Sequence, residues 1–449
     1  ALLAAARRRR LVFLVGTGVL LIGYAFLGRG FAYLGIPPLY VGEIVLGVGV
    51  LALVLSGGLR AVFRSPVVWL ILVFMAWSAA RTIPFIGTYQ FDALRDAVLW
   101  LYALYALLVG GFLLREGRLE RVVAWYRRVM PWYLAWVPFA ALVIAVVGDA
   151  LPVMPLSTVP IIDTKPGDNA VHLAGVAVFL FLGLHREVGR ATIGSGAREW
   201  LWWLIWLLGA FTAAATNRGG ILGILAAGGS GLLLRPLANW RKVAALGAVL
   251  LAVFFVSGVS IDLGGRRSVS ADQIFTNIGS IFGVTQGQDL GATREWRLTW
   301  WENIVDYTVF GDYFWTGKGY GINLADADGF QVNADGSLRS PHNGHLNILA
   351  RTGVPGFALW IALQVAFGVS LFRAYLRARH AGRQTWANVN LWLLAYWLAF
   401  LVNASFDVYL EGPQGGIWFW SLMGVGIAVL ETQRRLEPSW LPAEELSRP

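Results

Sequence analysis

The chain has 449 residues, of which 57% are hydrophobic and only 14% charged, more apolar surface than a soluble fold can bury. Its net charge of +10 is spread between apolar runs instead of forming one basic stripe, which argues against nucleic acid as the partner. The absence of cysteine excludes disulfides, thiolate catalysis and cysteine-ligated metals together.

The chain opens with Arg7 to Arg10 before an apolar run from Leu11. That pattern imitates a signal peptide, but no small-residue cleavage site follows, so it reads as the first membrane helix. At roughly 20 mostly apolar residues per crossing, spans are expected near 11–28, 39–56, 66–83, 91–114, 129–147 and 170–185. Six more are expected near 199–216, 219–234, 243–261, 354–372, 387–404 and 414–431. The fold class is an all-α integral membrane protein of about 12 helices. Its expected divisions are helices 1–9 over 1–261, an outer segment 262–353, helices 10–12 over 354–431, and a tail 432–449.

Lys and Arg favour cytoplasmic loops. With the amino terminus inside, inner loops hold Arg7 to Arg10, Arg60, Arg64, Arg115, Arg118, Arg121, Arg127 and Arg128. Further along they hold Arg186, Arg190, Arg198, Arg235, Arg241, Lys242 and Arg373 to Arg383, and the tail holds Arg434, Arg435 and Arg448. The short outer loops carry only Arg29, Arg81, Lys165 and Arg218. Both termini are therefore expected in the cytoplasm, and the long segment on the far side. No repeat, low-complexity tract or soluble domain interrupts the pattern.

The outer segment carries most of the polar chemistry. Arg294 and Arg297, three apart at the start of a Trp-rich amphipathic helix, can share one face. Paired guanidinium groups suit a pyrophosphate, because each keeps its charge and grips phosphate oxygens through two hydrogen bonds. Contact with lipid headgroups is the plainer alternative. His342 lies between Pro341 and an apolar helix that re-enters the membrane, where a neutral imidazole can act as a general base or simply cap a helix. His345 on the same face raises a metal alternative, but no third ligand stands at recognisable spacing, so no metal is expected. Arg218, beside Gly219 and Gly220 at an outer junction, needs a partner or a task unless it snorkels. Arg95 and Asp96 in the fourth span read as an internal ion pair with a ligand role as the alternative; Asp407 and Glu411 can orient a histidine or a substrate hydroxyl, or cap a helix. Asp326 and Asp328 imitate the Asp-x-Asp of metal-dependent glycosyltransferases but lie in what reads as flexible loop. Lys318, between Gly317 and Gly319, lacks the spacing of a phosphate-binding P-loop.

Together these residues resemble the bacterial O-antigen ligases, with the related O-antigen polymerases and protein O-oligosaccharyltransferases. His342 and Asn343, nine residues, Gly353, two residues and Gly356 match the family pattern HNx9GxxG at the point where a large periplasmic loop re-enters the membrane. Arg297 with Trp301 resembles the family's arginine and helix tryptophan, Gly317 to Gly321 its Gly-x-Gly-Tyr-Gly turn, and Asn217 to Gly219 its Ser-Arg-Gly turn with asparagine for serine. These motifs cover about 216–356, and the multi-span layout covers the whole chain.

The resemblance implies a GT-C-like membrane glycosyltransferase of the bacterial inner membrane, working at its periplasmic face without a cofactor. Its donor would be a glycan on undecaprenyl pyrophosphate and its acceptor a sugar of the lipid A core. His342 would be the base, and Arg218, Arg297 and Arg294 would hold the pyrophosphate, leaving open which of the last two touches it. Asn343, His345, Asp407, Lys318 and Arg95 are possible supporting residues. A polymerase or a protein O-oligosaccharyltransferase would use the same chemistry on another acceptor. A lipid flippase or transporter would instead spread charge through the membrane depth and carry an inverted repeat.

Overall fold

A computed structural model describes residues 2–37, 39–57, 59–60, 62–117, 119–187, 197–235, 239–258, 260–262, 268–281 and 288–436. Arg118, Arg190, Arg448 and the tail beyond Leu436 lie outside the described residues. Helix dominates, and the only strands among the described residues are two hairpins, Gly35–Ile36 with Leu39–Tyr40 and Ile261–Asp262 with Ser268–Val269. Six described helices are long and apolar enough to cross a membrane. The number rises to eight if Pro66–Ala80 with Ile83–Tyr89, bent by 42°, and Phe91–Leu101 with Ala103–Glu116, bent by 41°, each count as one crossing. The chain is thus an all-α, multi-pass membrane protein.

Each apolar run read from the sequence falls on one or two helices. Among those outside the six, Val41–Ser56, Pro166–Phe181 and Arg218–Leu234 are shorter, at 16, 16 and 17 residues. At the centre, Pro166–Phe181, Arg218–Leu234, Gly344–His380 and Gln384–Ala404 pack on one another. Their neighbours are mostly protein, so polar residues such as Asp168, His172, Asn388 and Asn403 are buried within them. Ala103–Glu116 runs along Pro413–Leu436 at backbone distance: a Cβ on Gly424 would lie 2.8 Å from the Ala106 carbonyl oxygen. Small residues at such seams are how helices approach closely in lipid.

Contacts between helix ends join segments of like predicted side. Arg7 and Arg10 pair with Glu116 at 3.1 and 2.8 Å. At the other end, Arg29 pairs with Asp163 at 2.7 Å, and the Arg81 guanidinium donates to the Thr316 carbonyl at 2.7 Å.

Two local expectations are corrected. The tenth run begins as helix at Gly344, ten residues before the expected 354, because the Asn343 side chain caps it by accepting from the backbone N–H groups of His345 and Leu346 at 3.0 and 3.1 Å. The helix then breaks at Gly353, whose φ of 68° a residue with a side chain rarely adopts. The stretch around Asp326 and Asp328, expected to be flexible, forms a short helix, Leu324–Asp328, capped by Asn323. Asp328 is bound there by Lys318 and by the Trp300 indole N–H at 2.7 Å.

Candidate active site

Two asparagine caps bring the first two candidate residues to one face. Asn217 caps Arg218–Leu234 by accepting from the Gly220 N–H at 2.8 Å, so Arg218 is the first residue of its helix. Asn343 caps Gly344–His380, so His342 stands one residue before it, and its φ of 53° is the left-handed conformation. The start of a third helix, Pro166–Phe181, lies against them: a Cβ on Gly167 would meet the Asn217 side chain at 2.9 Å and the Asn403 Oδ1 at 3.0 Å. Gly344 in turn packs on the Ala404 carbonyl. Three helix amino termini, each with its partial positive charge, therefore gather around the carboxyl end of Gln384–Ala404.

The outer helix Gln288–Val309 crosses this cluster. Arg297 and Trp301, four apart, share a face, and the Trp301 indole donates to the Pro341 carbonyl at 2.8 Å, which holds the turn that presents His342. The Arg297 guanidinium donates to the Phe406 carbonyl at 3.2 Å, while its Nε is buried without a partner among the described residues. Arg218 lies close enough to Arg294, and Arg297 close enough to Arg218, for their like charges to repel. Only Asp407 opposes this charge at Arg297, and burial still holds the Arg297 guanidinium below its ordinary pKa.

Burial first, and then the Arg297 guanidinium, hold the His342 imidazole down at about 4; Asp407 opposes them, and Lys165 adds to them. The ring is half-buried and neutral at physiological pH. Its only aromatic neighbour among the described residues is Trp296, at 6.5 Å between ring centroids.

The remaining candidates sort differently. Asn343 is the cap just described. His345 is held by structure: Nε2 lies 3.0 Å from the Leu401 carbonyl and Nδ1 accepts from the Trp360 indole at 3.0 Å. Lys318 is tied into the ion pair with Asp328 and covered by the Tyr307 ring at 4.1 Å, away from the arginines. Arg95 is half-exposed beside Asp92 and Asp96 at 3.5 and 3.6 Å. Asp407 accepts from the Val408 N–H at 2.8 Å and acts on Arg297 and His342 through its charge. Glu411 is half-buried with Oε1 enclosed, and burial lifts its carboxyl to about 7 against the pull of Arg351.

Asp96 has a larger role than an internal pair. One of its oxygens meets Arg351 at 3.0 Å, Arg339 at 3.1 Å and the Gly321 N–H at 3.1 Å, which ties the outer segment to Phe91–Leu101. The motif glycines explain the close fit beneath it. Lys318 and Gly319 donate backbone hydrogen bonds to the Ala350 and Arg351 carbonyls at 2.7 and 3.1 Å, and a Cβ on Gly317 would lie 2.4 Å from the Arg351 carbonyl carbon. The turn and the helix break thus interlock through bare backbone.

The sequence reading missed Lys165 and Asp168. Both begin Pro166–Phe181, and Asp168 is buried with neither carboxylate oxygen hydrogen-bonded among the described residues. A lysine and an aspartate three apart at the outer end of an apolar run were the available signal.

The family model described as O-antigen ligase matches residues 203–361. That stretch is an O-antigen ligase family domain. Arg218, Arg294, Arg297, Lys318, His342 and His345 lie inside it, and Lys165, Asp407 and Asp96 outside. At the family level this is a membrane enzyme of glycosyltransferase type, acting on a lipid-linked glycan and a lipid acceptor. No curated protein matches the chain.

Proposed function

We propose that this O-antigen ligase family protein transfers a glycan from undecaprenyl pyrophosphate to a sugar hydroxyl of the lipid A core at the periplasmic face of the bacterial inner membrane. The observation that carries the reading is the cluster of Arg218, Arg294 and Arg297, in which Arg218 is repelled by Arg294 and Arg297 by Arg218, and which has no ion-pair partner among the described residues beside a neutral His342. An uncompensated cation cluster at three helix amino termini favours a multiply charged anion, and the donor's pyrophosphate is one.

In the proposed reaction, the acceptor hydroxyl attacks the anomeric carbon as His342 takes its proton. The bond from that carbon to the pyrophosphate oxygen breaks, and the pyrophosphate leaves with the electron pair. Attack from the opposite side inverts the anomeric centre. Arg218 and Arg297, with Arg294 at the rim, stabilise the departing charge. The donor also tunes the base: its negative charge offsets the guanidinium groups that disfavour protonation of His342, so the imidazole accepts a proton more readily once the donor is bound. The chemistry assigned here to His342 and the arginines requires no metal or nucleotide cofactor.

Purified protein given labelled donor and lipid A core, without ATP or an ion gradient, tests the reading. Transfer to the core supports it, and absence of transfer with active loading of a gradient would support a transporter instead. Deleting the gene separates ligase from polymerase: loss of all glycan from the core is the ligase outcome, and a single-repeat glycan on the core is the polymerase outcome.

A further inference from the structure

A cavity lies among the helices away from the arginine cluster. It has a volume of about 330 Å³ and sits between Leu2–Leu27, Leu119–Val147, Gln384–Ala404 and Pro413–Leu436. Its wall follows the first helix from Leu11 to Ile22. That is a depth of about 16 Å at ~1.5 Å per residue, or half of the ~30 Å hydrocarbon core. One acyl chain of one leaflet has this length.

One end is marked by charge. Leu11 follows Arg10, which pairs with Glu116, so this end of the cavity lies beside Arg7, Arg10 and Glu116. Arg121 lines that end, is exposed, and forms no ion pair among the described residues. Three residues of its wall, Thr17, Tyr126 and Ser421, carry buried hydroxyls without a hydrogen-bond partner among the described residues, and the lining is otherwise apolar.

We propose that this cavity binds one glycerophospholipid from the leaflet at the basic face. Its phosphate sits at Arg121, and one acyl chain fills the apolar space beside Trp125, Trp392 and Trp418. The donor lipid is the wrong occupant, because its pyrophosphate belongs at the arginine cluster on the opposite face while this cavity's single cation lies at the basic end. The cavity adjoins a smaller one lined by Tyr133, His172 and Tyr396, and His172 Nδ1 lies 2.6 Å from the Tyr396 hydroxyl.

Native mass spectrometry of the delipidated full-length protein, titrated with phosphatidylglycerol, tests the site. Wild type is expected to retain one lipid. Arg121→Gln, at an exposed position, weakens retention by about tenfold, the loss of roughly one charge-assisted contact. Gly18→Leu fills the cavity, since a Cβ there meets nothing closer than Trp125 at 3.6 Å, and abolishes retention without lowering the melting temperature. Retention by both variants equal to wild type overturns the proposal, and so does a preference for polyprenyl phosphate over phosphatidylglycerol that Gly18→Leu removes.

Discussion

The outer face holds two sets of arginines that look alike in sequence and differ in their company. Arg339 and Arg351 share the Asp96 carboxylate at 3.1 and 3.0 Å, and Arg351 also reaches the Asn347 side chain and the Gly319 carbonyl. Arg218, Arg294 and Arg297 have no ion-pair partner among the described residues; Arg218 is repelled by Arg294 and Arg297 by Arg218, with Asp407 the only carboxylate acting on Arg297. The first set fastens the outer segment to the membrane helices. The second is left with unspent charge beside a neutral histidine. A buried cation with full pairing is a structural part, whereas one kept without a counter-ion is costly unless a ligand supplies it.

The sharpest way to break this comparison is at the base. His342→Ala is expected to lower transfer by about 10²–10⁴-fold, the usual contribution of a positioned acid or base. Donor binding and folding should be kept, because the ring accepts none of the hydrogen bonds that hold its turn; substantial transfer by the variant would remove His342 from the role. Next, Arg297→Gln should cost about 10²–10³-fold in turnover, as for loss of one group that stabilises a leaving anion, with a melting temperature close to wild type. Arg351→Gln is expected to do the reverse. By removing one of the two close guanidinium partners of Asp96 and the donor to the Asn347 side chain, it should cost about 1–3 kcal/mol in stability, read by thermal unfolding, while protein assayed below its transition keeps donor affinity.

A smaller effect lies in pH dependence. The neutral imidazole is the base, so activity is lost as pH falls through the His342 pKa. Because burial and Arg297 hold that value at about 4 without donor, the acid limb of kcat/KM should lie near it. The acid limb of kcat, set with the donor bound, should lie higher. Arg297→Gln should raise the kcat/KM limb toward the ordinary value of ~6.5. Coincident limbs in wild type would contradict the proposed tuning by donor. Smallest of all, Asn343→Ala removes a helix cap and should cost about 1 kcal/mol of stability, detectable by denaturant unfolding.

The helices were largely legible because lipid imposes length and composition on each span. The site was legible in part. Arg218 and His342 stood out since each sits beside a cap or a glycine at the mouth of an apolar run, and Arg297 since it stands three residues from Arg294 in a Trp-rich stretch. The sorting of arginines was not legible, because Asp96 lies 243 residues before Arg339 and nothing local announces their pairing. Lys318 illustrates the same limit: the resemblance offered it as a possible supporting residue, yet the chain folds Asp328 and Tyr307 onto it. Lys165 escaped for a related reason, since its action on His342 comes from tertiary packing of Pro166–Phe181 against the Arg218 helix. The helix break at Gly353 lies one residue before the expected start of the tenth run at 354, and the sequence reading took Gly353 as a motif position without assigning a break there.

The central claim is that pairing separates structural from ligand-holding arginines. Its most direct test is equilibrium binding of undecaprenyl pyrophosphate to detergent-solubilised wild type, Arg218→Gln, Arg297→Gln and Arg339→Gln, each below its own unfolding transition. The account predicts affinity at least about tenfold weaker for Arg218→Gln and Arg297→Gln, the loss of a charge-assisted contact each, and unchanged for Arg339→Gln. Equal weakening in all three, or none in the first two, would contradict it.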